Sequence, residues 1–131
     1  MVHFLDLNDL LETHSQQIAN YGGSDGLRDL NLLASALAQP EASFAGNYLH
    51  ADLYEMAAAY LFHIVSNHPF IDGNKRVGLE AALIFLEING IEVLADDQEL
   101  VDLVLATATS QTTKGAIADF FRSHSKPQPS G

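Results

Sequence analysis

The sequence predicts an all-α domain of about six helices. Apolar residues recur at spacings of three and four along most of the chain, which is the period of an amphipathic helix. Side chains that cap helices precede several of these stretches, and glycine or proline follows them. No strong alternating pattern of the kind that predicts strands is present. The 131 residues, 47% of them hydrophobic, suit one domain with a filled core.

The first two helices are predicted over residues 6–20 and 28–38. The first has leucines and Ile18 on one face. His14 lies on the same face, and we interpret it as a packed histidine because no second metal ligand is near it in sequence. Three glycines after residue 20 end this helix, and Pro40 ends the second.

Residues 41–50 leave two interpretations open. A Gly46-Asn47 pair lies between Phe44 and Tyr48. This arrangement is compatible with a small hairpin or exposed flap, and equally with an irregular loop.

Two central helices are predicted over residues 53–67 and from residue 73 or 74 to 88. Both are apolar nearly all round, which places them in the middle of the domain. Asp52 caps the first of them. That helix must end before Pro69, because the residue before a proline avoids the α region. His68 is therefore expected to leave the helix at a fixed place.

The C-terminal third is predicted to contain a short extended link and two more helices. The link covers residues 91–94, and the helices cover 97–109 and 113–123; a capping box of Asp96 and Glu99 starts the first of these two helices. Residues 124–131 are polar and proline-rich and are predicted to form a flexible tail. The domain itself is then expected to span residues 1–123.

Composition narrows the classes of function. The chain has 6 basic and 17 acidic residues, a formal net charge of −11, which disfavours nucleic-acid binding. It has no cysteine, which excludes disulfides and cysteine nucleophiles. No apolar run reaches the roughly 18 residues needed to cross a bilayer, and the N-terminus lacks a signal-peptide pattern. We therefore expect a cytoplasmic protein with no membrane partner and no direct nucleic-acid binding.

Residues 68–76 (HPFIDGNKR) concentrate polar groups between the two central helices. The first N–H groups of a helix have no internal partner and lie at the positive end of its dipole, so they bind phosphate readily. Gly73 lets an anion approach the backbone, and Asn74 can add a hydrogen bond. Lys75 and Arg76 add positive charge. This pattern predicts a loop that binds a di- or triphosphate.

Two further side chains of this loop, Asp72 and His68, are candidates for a role in catalysis. Asp72 is poorly suited to bind an anion but is a suitable ligand for Mg²⁺, which bridges phosphates. His68 can accept a proton near neutral pH and is the candidate general base. Phe70 and Ile71 are predicted to anchor the loop to the core. Taken alone, Asp72 would be read as a helix cap, but the combination indicates phosphoryl or nucleotidyl transfer.

The same nine residues resemble the signature of the Fic/Doc superfamily, His-x-Phe-x-(Asp/Glu)-(Gly/Ala)-Asn-x-Arg. Residues 21–29, 32–37 and 51–55 are similar to its death-on-curing (Doc) branch. The resemblance covers about residues 6–94 and implies a helical bundle with a small flap or hairpin next to the active-site loop. It implies the following roles: His68 as general base, Asp72 as Mg²⁺ ligand, and Gly73, Asn74, Lys75 and Arg76 as the phosphate-binding residues.

Two departures from the adenylylating members identify the branch. Lys75 stands where those proteins have a second glycine, and Leu79 where they have a second arginine. The resemblance then implies the toxin of a toxin–antitoxin system: an ATP- and Mg²⁺-dependent kinase that transfers the γ-phosphate to a hydroxyl of translation elongation factor Tu. A separate antitoxin, acting through a peptide tail, is the implied inhibitor. The alternatives are an adenylyltransferase acting on another protein and a nucleotide-binding pseudoenzyme.

Overall fold

The computed structural model describes residues 1–129, and it confirms an all-α fold. In this part of the chain six helices carry the architecture, and each begins and ends within two residues of its predicted bounds. The elements in chain order are α1 (Leu7–Tyr21), α2 (Leu30–Ala38), β1 (Ser43–Phe44), β2 (Asn47–Tyr48), α3 (Leu53–Asn67), α4 (Asn74–Ile88), β3 (Ile91–Val93), α5 (Asp97–Ala108), α6 (Lys114–Ser123) and β4 (Ser125–Pro127).

The two central helices, α3 and α4, pack directly against each other. Gly78 of α4 makes this possible, because a Cβ added there would lie 3.0 Å from Cγ2 of Val65 and 3.4 Å from the carbonyl oxygen of Leu61. Three consecutive alanines, residues 57–59, are fully buried on α3. Small residues thus bring the two backbones close together, and the loop that joins them is fixed at one end of the pair.

The other helices cover this pair. Helix α1 packs on α4, α2 and α6 pack on α3, and α5 contacts both central helices. The core between them contains the fully buried rings of Tyr60, Phe85 and Phe121. The hydroxyl of Tyr60 accepts a hydrogen bond of 2.9 Å from the backbone N–H of Leu5, which satisfies this polar group in the core. No helix within residues 1–129 has the length and apolar content that a bilayer crossing requires.

The predicted hairpin is present, with β1 and β2 paired antiparallel. The ring of Tyr48 lies 5.6 Å from that of Phe4, which stacks at 5.8 Å on Phe85 near the end of α4. Phe85 is about 16 Å along the helix axis from Asn74, at about 1.5 Å per residue. These contacts place the hairpin at the far end of α4, so its expected position next to the active-site loop is wrong.

The predicted flexible tail is also wrong for most of its length. Strand β4 pairs antiparallel with β3, with Glu92 opposite Lys126. Hydrogen bonds flank the pair, from Leu94 N–H to the His124 carbonyl and from Gln128 N–H to the Gly90 carbonyl. The partner strand is more than 30 residues away in sequence, so local composition could not indicate it. Residues 130–131 of that predicted tail lie outside the described residues.

A polar contact between α3 and α6 predicts a pH-dependent stability. The Lys114 Nζ lies 2.9 Å from Nε2 of His63. Burial, then the charge of Lys114 and the nearby His50, lower the pKa of His63 from 6.5 to about 4. Between these two pH values the unfolded chain binds a proton that the folded chain does not, so stability falls as the pH is lowered through this window.

We therefore expect the free energy of unfolding to decrease between pH 6.5 and pH 4, and His63→Gln to flatten this decrease. The measurement is urea denaturation at several pH values. His3→Gln, at an exposed histidine, is the matched control and should keep the wild-type slope. An unchanged slope in His63→Gln would contradict the assignment.

Candidate active site

The junction between α3 and α4 holds His68 outside both helices. As predicted, α3 ends at Asn67, directly before His68 and Pro69. His68 adopts the left-handed conformation, with φ 52° and ψ 53°, which is uncommon for a residue other than glycine. Its side chain is exposed. The proline therefore fixes the point at which an imidazole enters solvent beside the start of α4.

All six predicted site residues line one pocket of about 160 Å³ at this junction. They are His68, Asp72, Gly73, Asn74, Lys75 and Arg76, and Ile71 joins them. The structure therefore brings the His68 imidazole, the Asp72 carboxylate and the start of α4 together, as the sequence predicted.

Helix α4 begins without a side-chain cap. Its N-cap is Gly73, with φ 83°, and no side chain accepts a hydrogen bond from its first turn. The other five helices of residues 1–129 each have a capping side chain, from Asp6, Asp29, Asp52, Asp96 and Thr113. The first N–H groups of α4 thus remain available, at the positive end of the helix dipole, to an anion in the pocket.

Asn74 acts differently from the prediction. Its side chain is buried, with 3% exposure. Its amide accepts from the Phe70 N–H and donates to the Phe70 carbonyl, each at 2.9 Å. These two bonds close the loop on itself, so the side chain is not available as the predicted phosphate donor. What Asn74 offers an anion is its backbone N–H.

Asp72 lies at the mouth of the pocket with its carboxylate held by two backbone amides. It accepts from Ser24 N–H at 3.2 Å and from Gly73 N–H at 2.8 Å. Both hydrogen bonds lower the pKa of the Asp72 carboxyl, and the one from Ser24 has the larger effect. Gly23 has φ 113°, a conformation that favours glycine, and a Cβ there would lie 2.5 Å from Oδ2 of Asp72 and displace this carboxylate. The carboxylate is thus ionised and oriented at neutral pH.

This arrangement fits a Mg²⁺ ion that arrives with a nucleotide. Mg²⁺ keeps several waters and is commonly held by one or two carboxylates together with substrate phosphates. Each Asp72 oxygen can accept more than the one bond it has from the backbone. Residues 1–129 contain no cluster of three acidic or histidine side chains that could hold a metal alone. Asp72 is therefore suited to supply one ligand to a Mg²⁺ ion whose other ligands include substrate phosphates.

Lys75 and Arg76 are both exposed beside the pocket but are held differently. Arg76 donates through Nη1 to the Gly22 carbonyl at 3.3 Å, and its guanidinium lies 5.3 Å from the centre of the Tyr21 ring. Lys75 has no carboxylate oxygen within 4 Å among residues 1–129. Arg76 also has no carboxylate oxygen within 4 Å in this part of the chain. Neither cation is therefore paired with a carboxylate, but Arg76 uses one of its N–H donors on Gly22 and keeps the others for a ligand.

The segment between α1 and α2, residues 22–29, flanks the active-site loop. The Arg28 and Asp29 N–H groups both donate to the Pro69 carbonyl, at 2.7 and 3.0 Å, and the Ile71 N–H donates to Gly26 at 3.1 Å. The Arg28 side chain donates to the carbonyls of His68 at 2.6 Å and Asn67 at 2.9 Å. Arg28 therefore holds the end of α3. From the sequence, Arg28 is predicted only as the first residue of a helix.

His14 is a second residue whose role the sequence did not indicate. It is 3% exposed, and its ring stacks on Phe70 at 4.0 Å with an angle of 5°. Its Nε2 lies 2.8 Å from the Asp72 carbonyl oxygen. Packing was predicted correctly, but the partner is the loop itself. Phe70 is buried as predicted, whereas Ile71 is 54% exposed, so the prediction that it anchors the loop is wrong.

The chain is similar to one protein family and to two named proteins. Residues 4–86 match the model of the Fic/DOC family. The chain is 35% identical over 114 residues to the protein kinase doc of Escherichia phage P1, covering 87% of this chain and 89% of that protein. It is 42% identical over 96 residues to the toxin Doc of Mycolicibacterium smegmatis, covering 73% and 72%.

Proposed function

The chain belongs to the Fic/DOC family, and from this premise we propose that it is a Doc-type toxin that phosphorylates a protein hydroxyl. The donor is ATP with Mg²⁺, the transferred group is the γ-phosphate, and the target is translation elongation factor Tu. The observation that carries the proposal is the single pocket in which His68, Asp72 and the uncapped start of α4 meet.

The residues of the candidate active site have different roles in phosphate transfer. The N–H groups of the first turn of α4, together with Lys75, bind phosphate oxygens and stabilise their charge. Asp72 would hold Mg²⁺, which when bound supplies further neutralisation of the phosphates. His68 accepts the proton of the target hydroxyl as that oxygen bonds to the γ-phosphorus, while the bond from the γ-phosphorus to the β,γ-bridging oxygen breaks and ADP leaves. Its place outside both helices leaves the imidazole free to reach a hydroxyl from solvent.

Lys75 supports phosphate transfer over adenylyl transfer. Its side chain occupies the position that a glycine leaves open in the adenylylating relatives, and it is an unpaired cation at the rim of the pocket. A nucleotide is then expected to bind with its terminal phosphate at this lysine. The match to a relative named as a protein kinase supports the same choice.

An antitoxin is the proposed partner in the cell, since one relative is named as a toxin. We infer that a peptide tail of that partner inhibits the enzyme. A cytoplasmic location follows from the proposed target.

The test is transfer of label from ATP to elongation factor Tu in the presence of Mg²⁺. We expect label from the γ position and none from the α position, because the γ-phosphate lies against Lys75. Label from the α position would support adenylyl transfer instead. Nucleotide binding without any transfer would support the pseudoenzyme alternative. Both results would contradict the kinase proposal.

A further inference from the structure

A second cavity, of about 280 Å³, lies between α3 and α6 and shares no lining residue with the candidate active site. We call it the α3–α6 pocket. His50 and Glu55 line one wall, and Lys114, Gly115 and Arg122 of α6 line the other. Glu55 lies about 20 Å from His68 along α3, at about 1.5 Å per residue. Nothing in the proposed kinase reaction uses this place.

The ammonium group of Lys114 is the central feature of this pocket. Its Nζ lies 2.9 Å from His63 Nε2 and 5.8 Å from the centre of the Phe62 ring. Among residues 1–129, no carboxylate oxygen lies within 4 Å of it. An ammonium has three N–H donors, and the contact with His63 uses one. A half-buried lysine without a carboxylate is uncommon, because burial disfavours an unpaired charge.

The histidines around Lys114 do not neutralise it. Burial and the charge of Lys114 lower the pKa of His63 to about 4 and also lower that of His50. Both imidazoles are therefore neutral at neutral pH. His63 orients the lysine as a hydrogen-bond acceptor, and the positive charge stays uncompensated.

Two other charged residues line the pocket: Arg122 is paired with carboxylates, and Glu55 is not paired with a cation. Arg122 donates through Nη2 to Asp52 at 2.9 Å and through Nη1 to Asp119, so two carboxylates compensate it. Glu55 has no Lys, Arg or His nitrogen within 4 Å of its carboxylate in the described part of the chain. The α3–α6 pocket thus presents one free cation and one free carboxylate to the same space.

We propose that the α3–α6 pocket binds a small molecule that carries an oxyanion, a carboxylate or a phosphate, which pairs with Lys114. A hydroxyl or amino group on the same molecule donates to Glu55. The pocket volume of about 280 Å³ lies just below the range of about 300–1,000 Å³ typical of ligand sites, so a small metabolite fits better than a nucleotide.

The test uses inorganic phosphate and acetate as separate probes, followed by ¹H–¹⁵N spectra of the full chain. We expect a saturable shift of the Gly115 amide, with the tighter probe identifying the kind of oxyanion. Lys114→Gln should weaken this binding about 10-fold or more, as expected for loss of one charge-assisted contact. Lys126→Gln, which removes the same charge on β4, is the matched control and should bind as wild type.

Glu55→Gln gives a second, independent result. Removing this carboxylate should tighten the binding of both bare oxyanions, because it lowers the repulsion across the pocket. The Gly73 amide reports separately on phosphate bound at the candidate active site. The proposal is overturned if Gly115 does not respond, or if Lys114→Gln binds as tightly as wild type. Should Lys114→Gln fail to fold, unchanged binding in Glu55→Gln overturns it.

Discussion

Replacing His68 with alanine should lower the rate of phosphate transfer by about 10²–10⁴-fold, the range typical of losing a positioned general base. The imidazole is exposed and lines the pocket at the start of α4, so it is placed to take the proton of a target hydroxyl. It makes no contact in the core, and the variant should fold normally. The rate is measured as label transferred from the γ-phosphate of ATP to elongation factor Tu.

The affinity for ATP distinguishes loss of the general base from damage to the nucleotide-binding pocket. The α4 amides and Lys75 are untouched by His68→Ala, so affinity for ATP should stay close to wild type. His3→Ala, at another exposed histidine, should transfer phosphate at the wild-type rate. Full activity in His68→Ala would remove the imidazole from the mechanism, whatever the pocket binds.

Asn74→Ala should lower the free energy of unfolding by about 2–6 kcal/mol, since it leaves a buried N–H and a buried carbonyl unpaired, at about 1–3 kcal/mol each. Both groups belong to Phe70, which is 1% exposed, so water cannot easily replace the amide. Transfer activity should fall with stability, because these bonds fix the loop that presents Asp72. Urea denaturation measures the first effect.

Two further variants define what the Asn74 amide does. Asn74→Asp keeps an acceptor for the Phe70 N–H but loses the donor to the Phe70 carbonyl, so it should also be destabilised. Asn47→Ala removes an exposed amide whose hydrogen bond to the Ala45 carbonyl is 3.5 Å long, and its stability should be near wild type. Equal stability of Asn74→Ala and wild type would show that the loop closes without these bonds.

Prediction from sequence succeeded where the controlling interaction is local. The end of α3 at Asn67 follows from Pro69, and the starts of α3 and α5 follow from Asp52 and Asp96. These signals act within four residues of the backbone they control. The six site residues were also found together because they lie within nine consecutive residues of the chain, on either side of one helix start.

The predictions for the tail, the hairpin and the segment beside the loop failed because the interactions that control them are not local. The tail pairs with β3, the hairpin packs on Phe4 at the far end of α4, and residues 22–29 take the place beside the loop. Each of these depends on a contact between segments far apart in sequence. Local sequence patterns identify a polar, proline-rich stretch or a Gly-Asn pair, but they carry no information about the distant segment that each of them packs against.

The helices, their ends and the types of side chain in the loop can be predicted from the sequence, because hydrophobic period, caps and proline act on neighbouring residues. The side chains that support the loop depend instead on long-range packing. Packing turns Asn74 inward, brings His14 onto Phe70 and sets Arg28 on the end of α3. These contacts arise because a buried polar group needs a hydrogen-bond partner, and packing determines which group is near enough to serve.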